Sequence, residues 1–305
     1  MSLKLIFMGT PEFAVPILKT LHQSNHSILN VYTQRPKKSN RGQRINISPI
    51  HKISTELGLD VRHPEKLNKE EIDHIKKLSP NVVVVAAYGK IIPSDVLNIG
   101  NIKFINIHPS LLPRWRGAAP IQRSIIEMDS VTGVSIMKII PELDAGPYLL
   151  QEKIKIEKKD NYISLSKKLS LLASELILRS LEMIEQNNFI LTNQDKNKVT
   201  YAKKIEKKES EITWDVDAKS LIAKINGLNP YPGAWFRHKG KRFKIINAEE
   251  FAQSGTAGQV LNNNLTIGCK NKSIKILSLQ KEGKKILNVK DFLAGYKISK
   301  GEKLN

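Results

Sequence analysis

Two polar side chains lie close together on an otherwise apolar segment, residues 104–108. Alternate side chains of a β-strand point to the same face, so Asn106 and His108 should share one face while the isoleucines occupy the other. Pro109 has no N–H to donate, so the strand should end there. An amide and an imidazole at the carboxyl end of a parallel strand match the place where α/β folds bind ligands. The alternative is that His108 is a polar residue whose hydrogen bonds are satisfied inside the fold.

A carboxylate and two unusual loops follow this strand. Asp144 lies in residues 141–147, where it can accept or hold a proton, although Asp-Ala-Gly-Pro is also a common turn. Residues 110–113 form a rigid, apolar segment bounded by proline, and residues 114–116 are basic and aromatic. An ordinary surface loop stays open as an alternative, because arginine and tryptophan often stack on each other.

The elements that must position these groups alternate between strand-like and helix-like segments. Apolar, often β-branched runs typical of buried parallel strands lie at residues 3–8, 27–33, 82–87 and 103–108. Amphipathic helix patterns lie at residues 12–23, 48–57 and 69–78. This alternation predicts an α/β chain with a Rossmann-like, doubly wound N-terminal domain. The turn after the first strand lacks Gly-x-Gly-x-x-Gly, which disfavours a dinucleotide cofactor.

The pattern changes in the second half of the chain. Further strands are predicted at residues 134–140 and 149–156, and a long helix at 163–186. Short strands broken by Gly, Asn and Pro are predicted at residues 234–237, 243–248, 258–261, 265–269 and 273–279, with one helix near 216–225. We therefore predict an N-terminal domain over residues 1–188, a linker over 189–207, and a small OB-like β-barrel over 208–305.

The chain is strongly basic. It contains 49 Lys and Arg against 29 Asp and Glu, a formal charge of +20, of which +11 falls in residues 201–305. Clustered cations favour a polyanionic partner such as a nucleic acid, because they displace counterions from phosphates. The alternative is compositional drift, since the chain is rich in lysine, asparagine and isoleucine throughout.

Several classes of protein are disfavoured by composition. No apolar run reaches the roughly 18 residues that a membrane span needs, and the apolar start is too short for a signal peptide. Cys269 is the single cysteine, so no disulfide framework or cysteine metal cluster is expected. The seven histidines show no metal-ligand spacing. We expect a cytoplasmic protein that uses no metal.

Together, the motifs resemble those of the folate-dependent formyltransferases. The resemblance is carried by Asn-x-His-Pro-Ser-Leu-Leu-Pro at residues 106–113 and by Leu-Asp-Ala-Gly-Pro at residues 143–147. It extends over nearly the whole chain, beginning with Met-Gly-Thr-Pro-Glu-Phe-Ala at residues 8–14. Within the family, residues 114–122 and 200–205 favour the enzymes that act on transfer RNA.

The resemblance implies roles for the matching positions. The catalytic residues would be Asn106, His108 and Asp144. Seven positions match loops that contact the folate: Ser110, Leu111, Leu112, Pro113, Tyr88, Gly89 and Ile91. Seven basic positions match segments that bind transfer RNA: Arg35, Lys37, Lys38, Arg41, Arg44, Arg114 and Arg116. Without the resemblance, the basic segment at residues 34–48 is typical of a solvated charged loop.

The resemblance also implies the reaction. The expected co-substrate is 10-formyltetrahydrofolate, the expected acceptor is methionyl initiator transfer RNA, and a monomer without a metal is expected. Attack on a formyl carbonyl needs hydrogen-bond donors for the oxygen, and Asn106 and protonated His108 are the expected donors. Asp144 is expected to keep His108 charged and to hold a water molecule that relays the proton from the amine.

Two other functions stay open at this point. A formyltransferase that acts on the amine of a nucleotide sugar would share the catalytic residues, but would have less need for the basic C-terminal third. A non-enzymatic RNA-binding protein on the same fold would have no reason to keep Asn106, His108 and Asp144 together. The first alternative differs in the molecule that accepts the formyl group, and the second has no enzymatic activity.

Overall fold

The structure, a computed structural model, describes residues 2–39 and 44–305. The chain divides into two compact units. Unit 1 comprises Met1–Gly117, Val131–Ile154 and Ser166–Tyr201, and unit 2 comprises Ala118–Ser130, Lys155–Leu165 and Ala202–Asn305. The domain limits expected from the sequence, at residues 188 and 208, stay a prediction.

The strands are β1 (Lys4–Gly9), β2 (Ser27–Tyr32), β3 (Lys37–Ser39), β4 (Arg44–Asn46), β5 (Val61–Arg62), β6 (Val82–Ala86), β7 (Lys103–His108), β8 (Arg116–Gly117), β9 (Val131–Lys138), β10 (Tyr148–Lys155), β11 (Tyr201–Ala202), β12 (Trp235–His238), β13 (Lys241–Phe251), β14 (Thr266–Gly268), β15 (Ser273–Lys281) and β16 (Ile286–Asn288). The α-helices are α1 (Ala14–Gln23), α2 (Pro49–Glu56), α3 (Lys69–Leu78), α4 (Ser94–Leu97), α5 (Pro120–Ile126), α6 (Tyr162–Glu185), α7 (Ala218–Leu228) and α8 (Val289–Gly295). Short 3₁₀ helices lie at Lys196–Lys198 and Lys207–Ser210.

The sheet of unit 1 has the order β10-β9-β7-β6-β1-β2-β5. Strands β7, β6, β1, β2 and β5 run parallel, which confirms the predicted Rossmann-like sheet. Strand β9 pairs antiparallel with β7, so the sheet is mixed. Strand β7 therefore has a parallel neighbour on one side and an antiparallel neighbour on the other.

Burial explains where these elements form. Strand β6 is buried along its whole length, as expected for a central strand that is covered on both faces. Helix α1 buries a single stripe at the i, i+3, i+4, i+7 spacing of an amphipathic helix, namely Ala14, Ile17, Leu18 and Leu21. Helix α2 begins after Ser48, whose hydroxyl accepts a hydrogen bond from the main-chain N–H of His51.

Unit 2 contains the antiparallel sheet β12-β13-β15-β14, with β16 paired to β15. Its core holds an aromatic cluster in which Trp214 packs edge-on against Phe236, with ring centroids 5.6 Å apart. Phe236 in turn stacks on Phe243 at 5.6 Å, and helix α7 packs on β13. This arrangement confirms the predicted small C-terminal β domain.

Several segments differ from the sequence-based expectation, among them four short strands that were not predicted: β5, β8, β11 and β16. Residues 258–261, predicted as a strand, make only isolated bridges, from Gln259 to Lys303 and from Val260 to Ile267. The basic segment contains the paired strands β3 and β4, where a loop was predicted. Helices α4, α5 and α8 were not predicted, because four to seven residues are too few to display a helical period clearly.

No helix within residues 2–39 and 44–305 is long and apolar enough to cross a membrane. Across the same ranges, no group of three or more His, Cys, Asp and Glu side chains is placed to bind a metal ion. Cys269 is buried, and burial raises the pKa of its thiol to about 11. The thiol is therefore uncharged and unreactive at neutral pH.

We expect Gly133→Ala to destabilise unit 1. A Cβ at Gly133 in β9 would lie 2.1 Å from the main-chain O of Glu152 in β10 and 2.6 Å from a methyl carbon of Leu111. Main-chain atoms cannot move aside as side chains do, so the strands must separate at a cost of about 1–3 kcal/mol in the free energy of unfolding. Urea unfolding measures this cost. The matched control is Gly295→Ala, whose added Cβ meets no atom within 4 Å; an equal loss in both variants would contradict the steric explanation.

Candidate active site

Strand β7 presents two polar side chains near its carboxyl end. Asn106 pairs with Val85 of β6 and Met137 of β9, and His108 pairs with Ser135 of β9. Both side chains lie on one face of the sheet, with His108 buried and Asn106 half-buried. In the part of the chain that the structure describes, the Asn106 carboxamide makes no hydrogen bond. Its N–H groups are therefore available to a bound molecule.

The imidazole of His108 has a neighbour at each nitrogen. Nε2 lies 2.8 Å from the main-chain O of Trp115, and because a carbonyl oxygen only accepts, Nε2 must be the donor. Nδ1 lies 3.7 Å from Oδ2 of Asp144, which is longer than a hydrogen bond. The sequence predicts that His108 donates a hydrogen bond to the substrate. Because Nε2 is committed to the carbonyl of Trp115, only Nδ1 can make that bond.

Asp144 is positioned by a loop. Its main chain adopts φ +47°, a left-handed conformation that is uncommon for residues other than glycine. Its Oδ2 accepts a hydrogen bond of 2.8 Å from the N–H of Gly117, and its side chain is mostly buried. The fold thus brings Asp144 to the imidazole of His108, on the strand that also carries Asn106.

The loop after β7 is anchored by a buried serine of β9. The Ser135 hydroxyl donates to the main-chain O of Ser110 at 2.6 Å and accepts from the N–H of Leu112 at 3.1 Å. Ser110 and Leu112 are buried, whereas Leu111 and Pro113 are half-buried. Leu111 and Pro113 are therefore the side chains of this loop that a ligand can reach.

Tyr88, in the loop after β6, was expected to contact the folate, but its side chain is buried. The ring of Tyr88 is only 1% exposed and packs in the core of unit 1, where burial raises the pKa of its hydroxyl to about 12. Only the main chain of Tyr88 can face a ligand, because the ring points into the core. Gly89, with φ +76°, and Ile91, whose side chain is 90% exposed, lie on the surface.

Arg116, expected from the sequence to contact transfer RNA, is also buried. Its side chain is 5% exposed. Nε donates to Oε1 of Gln194 at 3.0 Å, and Nη1 lies 3.2 Å from Oε1 of Glu142. A buried guanidinium with two partners is poorly placed for phosphate contact. Arg114 is exposed, with its guanidinium 4.4 Å from the ring centroid of Trp115.

The remaining basic positions lie in or beside β3 and β4. Arg35 is exposed and forms an ion pair of 3.0 Å with Glu65. The others are Lys37 and Lys38 in β3, Arg44 in β4, and Arg41, which lies outside the described residues. Antiparallel pairing of β3 with β4 gives this basic segment a hydrogen-bonded main chain.

Three glutamines that sequence reasoning missed contact the loops of the site. Gln34 donates to the loop after β6, Gln151 to the loop after β7, and Gln194 to the loop that carries Asp144. Gln34 ends the Tyr-Thr-Gln segment at residues 32–34, which resembles the family, although no role was expected for it. No local pattern marks Gln151 or Gln194, because glutamine side chains are mostly exposed in folded proteins and an isolated one carries no signal. Their partners are set by tertiary structure alone.

Two family matches cover most of the chain. The formyl transferase family matches residues 3–181, and the formyl transferase C-terminal domain matches residues 204–297. The chain therefore belongs to the formyl transferase family. It is 51% identical to the methionyl-tRNA formyltransferase of Pelagibacter ubique, over 100% of this chain and 99% of that protein. It is 43% identical to the methionyl-tRNA formyltransferase of Rickettsia prowazekii, over 98% of each.

Solved structures share the fold at low identity. A variant of HypX from Aquifex aeolicus matches with a TM-score of 0.70 and 17% identity, over 97% of this chain and 49% of that chain. HypX in complex with tetrahydrofolic acid matches with a TM-score of 0.66 and 18% identity, over 96% and 47%. An N-formyltransferase from Helicobacter canadensis, in complex with folinic acid and dTDP-3-aminofucose, matches with a TM-score of 0.67 and 16% identity, over 92% and 100%. At these identities the likeness concerns the fold alone.

We expect Ser135→Ala to lower the free energy of unfolding by about 1–3 kcal/mol, because the buried N–H of Leu112 loses its acceptor. The hydrogen bond of 2.8 Å from Gln151 to the same hydroxyl is also lost. The matched control is Ser180→Ala, since Ser180 is equally buried but its hydroxyl bonds only to the carbonyl of Leu176 in its own helix. Urea unfolding compares the two variants. Equal losses would mean that Ser135 does not anchor the loop.

Proposed function

We propose that this chain transfers the formyl group of 10-formyltetrahydrofolate to the α-amino group of methionyl initiator transfer RNA, and so supplies formyl-methionyl transfer RNA for translation initiation. The proposal depends on one observation. The carboxylate of Asp144 lies 3.7 Å from the imidazole of His108, and His108 lies on the same strand as Asn106. Similarity to methionyl-tRNA formyltransferases along the whole chain supports the choice of acceptor. In this proposal the protein acts in the cytoplasm and as a monomer.

The loops around β7 suit a folate. Ile91 and Leu143 are 90% and 61% exposed, and large exposed apolar side chains are the kind of surface that a flat ring system covers. Leu111 and Pro113 add half-buried apolar surface, and Gly89 has no side chain to obstruct a ligand. These residues would hold the folate, which supplies an amide-like formyl carbonyl when bound.

Asn106 provides the principal donor to the formyl oxygen. Its carboxamide is half-buried, and a donor in a partly desolvated position stabilises negative charge more strongly than it would in water. Strand β7 is hydrogen-bonded on both sides, so the donor is held in place before reaction and little reorganisation is needed.

His108 donates the second hydrogen bond to the substrate, and Asp144 assists the transfer of the proton. With Nε2 committed to the carbonyl of Trp115, a protonated His108 donates to the substrate through Nδ1. The Asp144 carboxylate complements the positive charge of that ring across 3.7 Å. Oδ2 of Asp144 also accepts from Gly117, which leaves Oδ1 to hold a water molecule that passes the amine proton to the leaving nitrogen.

Basic and aromatic groups support a transfer RNA as the partner. Residues 201–305 carry a formal charge of +11. In unit 2, the guanidinium groups of Arg237 and Arg242 lie 5.1 and 5.5 Å from the ring centroid of Trp235, a combination that suits RNA backbone and bases. The lysines of β3 would add phosphate contacts, which raise affinity without discriminating between sequences.

A transfer assay tests the acceptor. Purified protein is mixed with 10-formyltetrahydrofolate and either methionyl initiator transfer RNA or an amino-sugar nucleotide. We expect formylation of the charged transfer RNA only. Formylation of the sugar nucleotide, or release of formate without an acceptor, would overturn the assigned partner. Transfer RNA binding without any turnover would support the non-enzymatic alternative.

We expect Asn106→Ala to lower kcat by about 10²–10³-fold with little change in either KM, because the lost donor acts on charge that develops in the transition state. Asp144→Asn keeps the size of the side chain but cannot take a proton, so kcat should fall by a comparable factor. Initial rates at varied substrate concentrations give both constants. Asn101→Ala, in the exposed turn before β7, is the control. Near-normal turnover of either site variant would refute its assigned role.

A further inference from the structure

One glutamine amide donates two hydrogen bonds at each of the three loops around β7; for Gln151, one bond ends on the loop and the other on Ser135 of β9. The donor is Nε2 in every case, and the acceptors are main-chain oxygens and one serine hydroxyl. The bonds run from Gln34 to O of Tyr88 (3.2 Å) and Gly89 (3.1 Å), from Gln151 to O of Leu112 (2.8 Å) and Oγ of Ser135 (2.8 Å), and from Gln194 to O of Asp144 (2.8 Å) and Gly146 (2.7 Å). A primary amide has two N–H donors, and Gln194 uses one for each of its two acceptors.

The orientation of the Gln194 amide is fixed by an arginine. Nε–H of Arg116 donates to Oε1 of Gln194 at 3.0 Å, and since a guanidinium cannot accept, the amide oxygen must face it. Nη1 of Arg116 also donates to Oε1 of Glu142 at 3.2 Å. Arg116 and Gln194 therefore hold the loop at Glu142, Asp144 and Gly146, which spans the catalytic carboxylate.

The main chain of this loop is strained at Asp144 and closely packed at Gly146, so it depends on stabilising contacts. The left-handed main chain of Asp144 costs a non-glycine residue about 1–3 kcal/mol. Gly146 lies so close to β9 that a Cβ there would fall 1.9 Å from the main-chain O of Lys138. The two hydrogen bonds from Gln194 end on either side of Ala145, between the strained residue and the point of closest approach.

We propose that Gln194, oriented by Arg116, is a positioning residue that holds the main chain of Asp144 and so sets the direction of its carboxylate towards His108. This proposal rests on the proposed function, in which Asp144 takes part in proton transfer. A displacement of about 1 Å at a reacting group can cost about 10²-fold in rate. The loss of Gln194 therefore acts on kcat, whereas the loss of Gln151, which holds the Leu112 loop, acts on the KM for folate.

The first test uses Gln194→Glu in the full chain. Glutamate keeps the length and the acceptor for Arg116, but it replaces both donors with an oxygen that faces two carbonyl oxygens. We expect kcat for formyl transfer to fall about 10²-fold, with both KM values close to those of the unsubstituted protein and a thermal unfolding midpoint no lower than that of Gln151→Glu, which loses two hydrogen bonds in the same way. Gln194→Met removes the donors without adding charge and carries the same expectation, which keeps the test decisive if the glutamate variant does not fold.

Two glutamine variants serve as matched controls. Gln151→Glu makes the same chemical change under the neighbouring loop and should raise the KM for folate more than it lowers kcat. Gln186→Glu makes the same change in the exposed turn that follows α6, where the side-chain amide bonds only to Glu182, and should leave both constants unchanged. If Gln194→Glu raised both KM values and lowered the unfolding midpoint in step with activity, Gln194 would be merely structural and the proposal would fail.

A double-mutant cycle separates this proposal from the function on which it rests. If Gln194 acts through Asp144, then Gln194→Glu should cause no further loss in an Asp144→Asn background, because coupled residues are not additive. A full further loss in that background would overturn the positioning role. Near-normal kcat for Asp144→Asn alone would overturn the role of Asp144 itself. A large loss for Asp144→Asn with none for Gln194→Glu would refute only the positioning role.

Discussion

The loops of the candidate site contain residues with a left-handed main chain, and each of these loops is held by hydrogen bonds from elsewhere in the fold. Ala87, Trp115 and Asp144 have φ values of +50°, +65° and +47°, a region that L-residues visit at a cost of about 1–3 kcal/mol each. At Trp115, the carbonyl accepts from His108 and the N–H donates to the hydroxyl of Thr200 at 2.9 Å. Hydrogen bonds from distant segments thus offset the main-chain strain in the loops that surround the site.

The antiparallel direction of β9 makes this arrangement possible. Ser135 in the middle of β9 lies opposite His108 at the end of β7, where it can anchor the loop that follows β7. The chain leaving β9 must then fold back, and the N–H of Lys138 donates to the O of Pro147 at 2.9 Å as it does so. The returning loop brings Asp144 to His108, so one strand supports two of the three loops.

Much of the fold was predictable because its determinants are local. Central strands such as β6 are buried on both faces and read as continuous apolar runs, and β7 was predicted with its observed bounds. The paired strands β3 and β4 were missed, since a short, charged segment carries no apolar alternation. In unit 2, residues 258–261 have a strand-like composition, but their partners supply only single bridges.

Residue types and their spacing sufficed to place Asn106 and His108 on one face of a strand, because side-chain alternation is a property of the strand itself. Spacing could not decide which nitrogen of His108 is committed to Trp115, that the Tyr88 ring lies in the core, or that Arg116 is buried beneath the Asp144 loop. Nor did it mark Gln194, which lies in a segment predicted to be a linker. These outcomes depend on the tertiary fold: Tyr88 packs in an apolar cluster, and Arg116 bonds to Gln194, 78 positions away in the chain. Only the folded backbone sets the distances and angles on which such bonds depend.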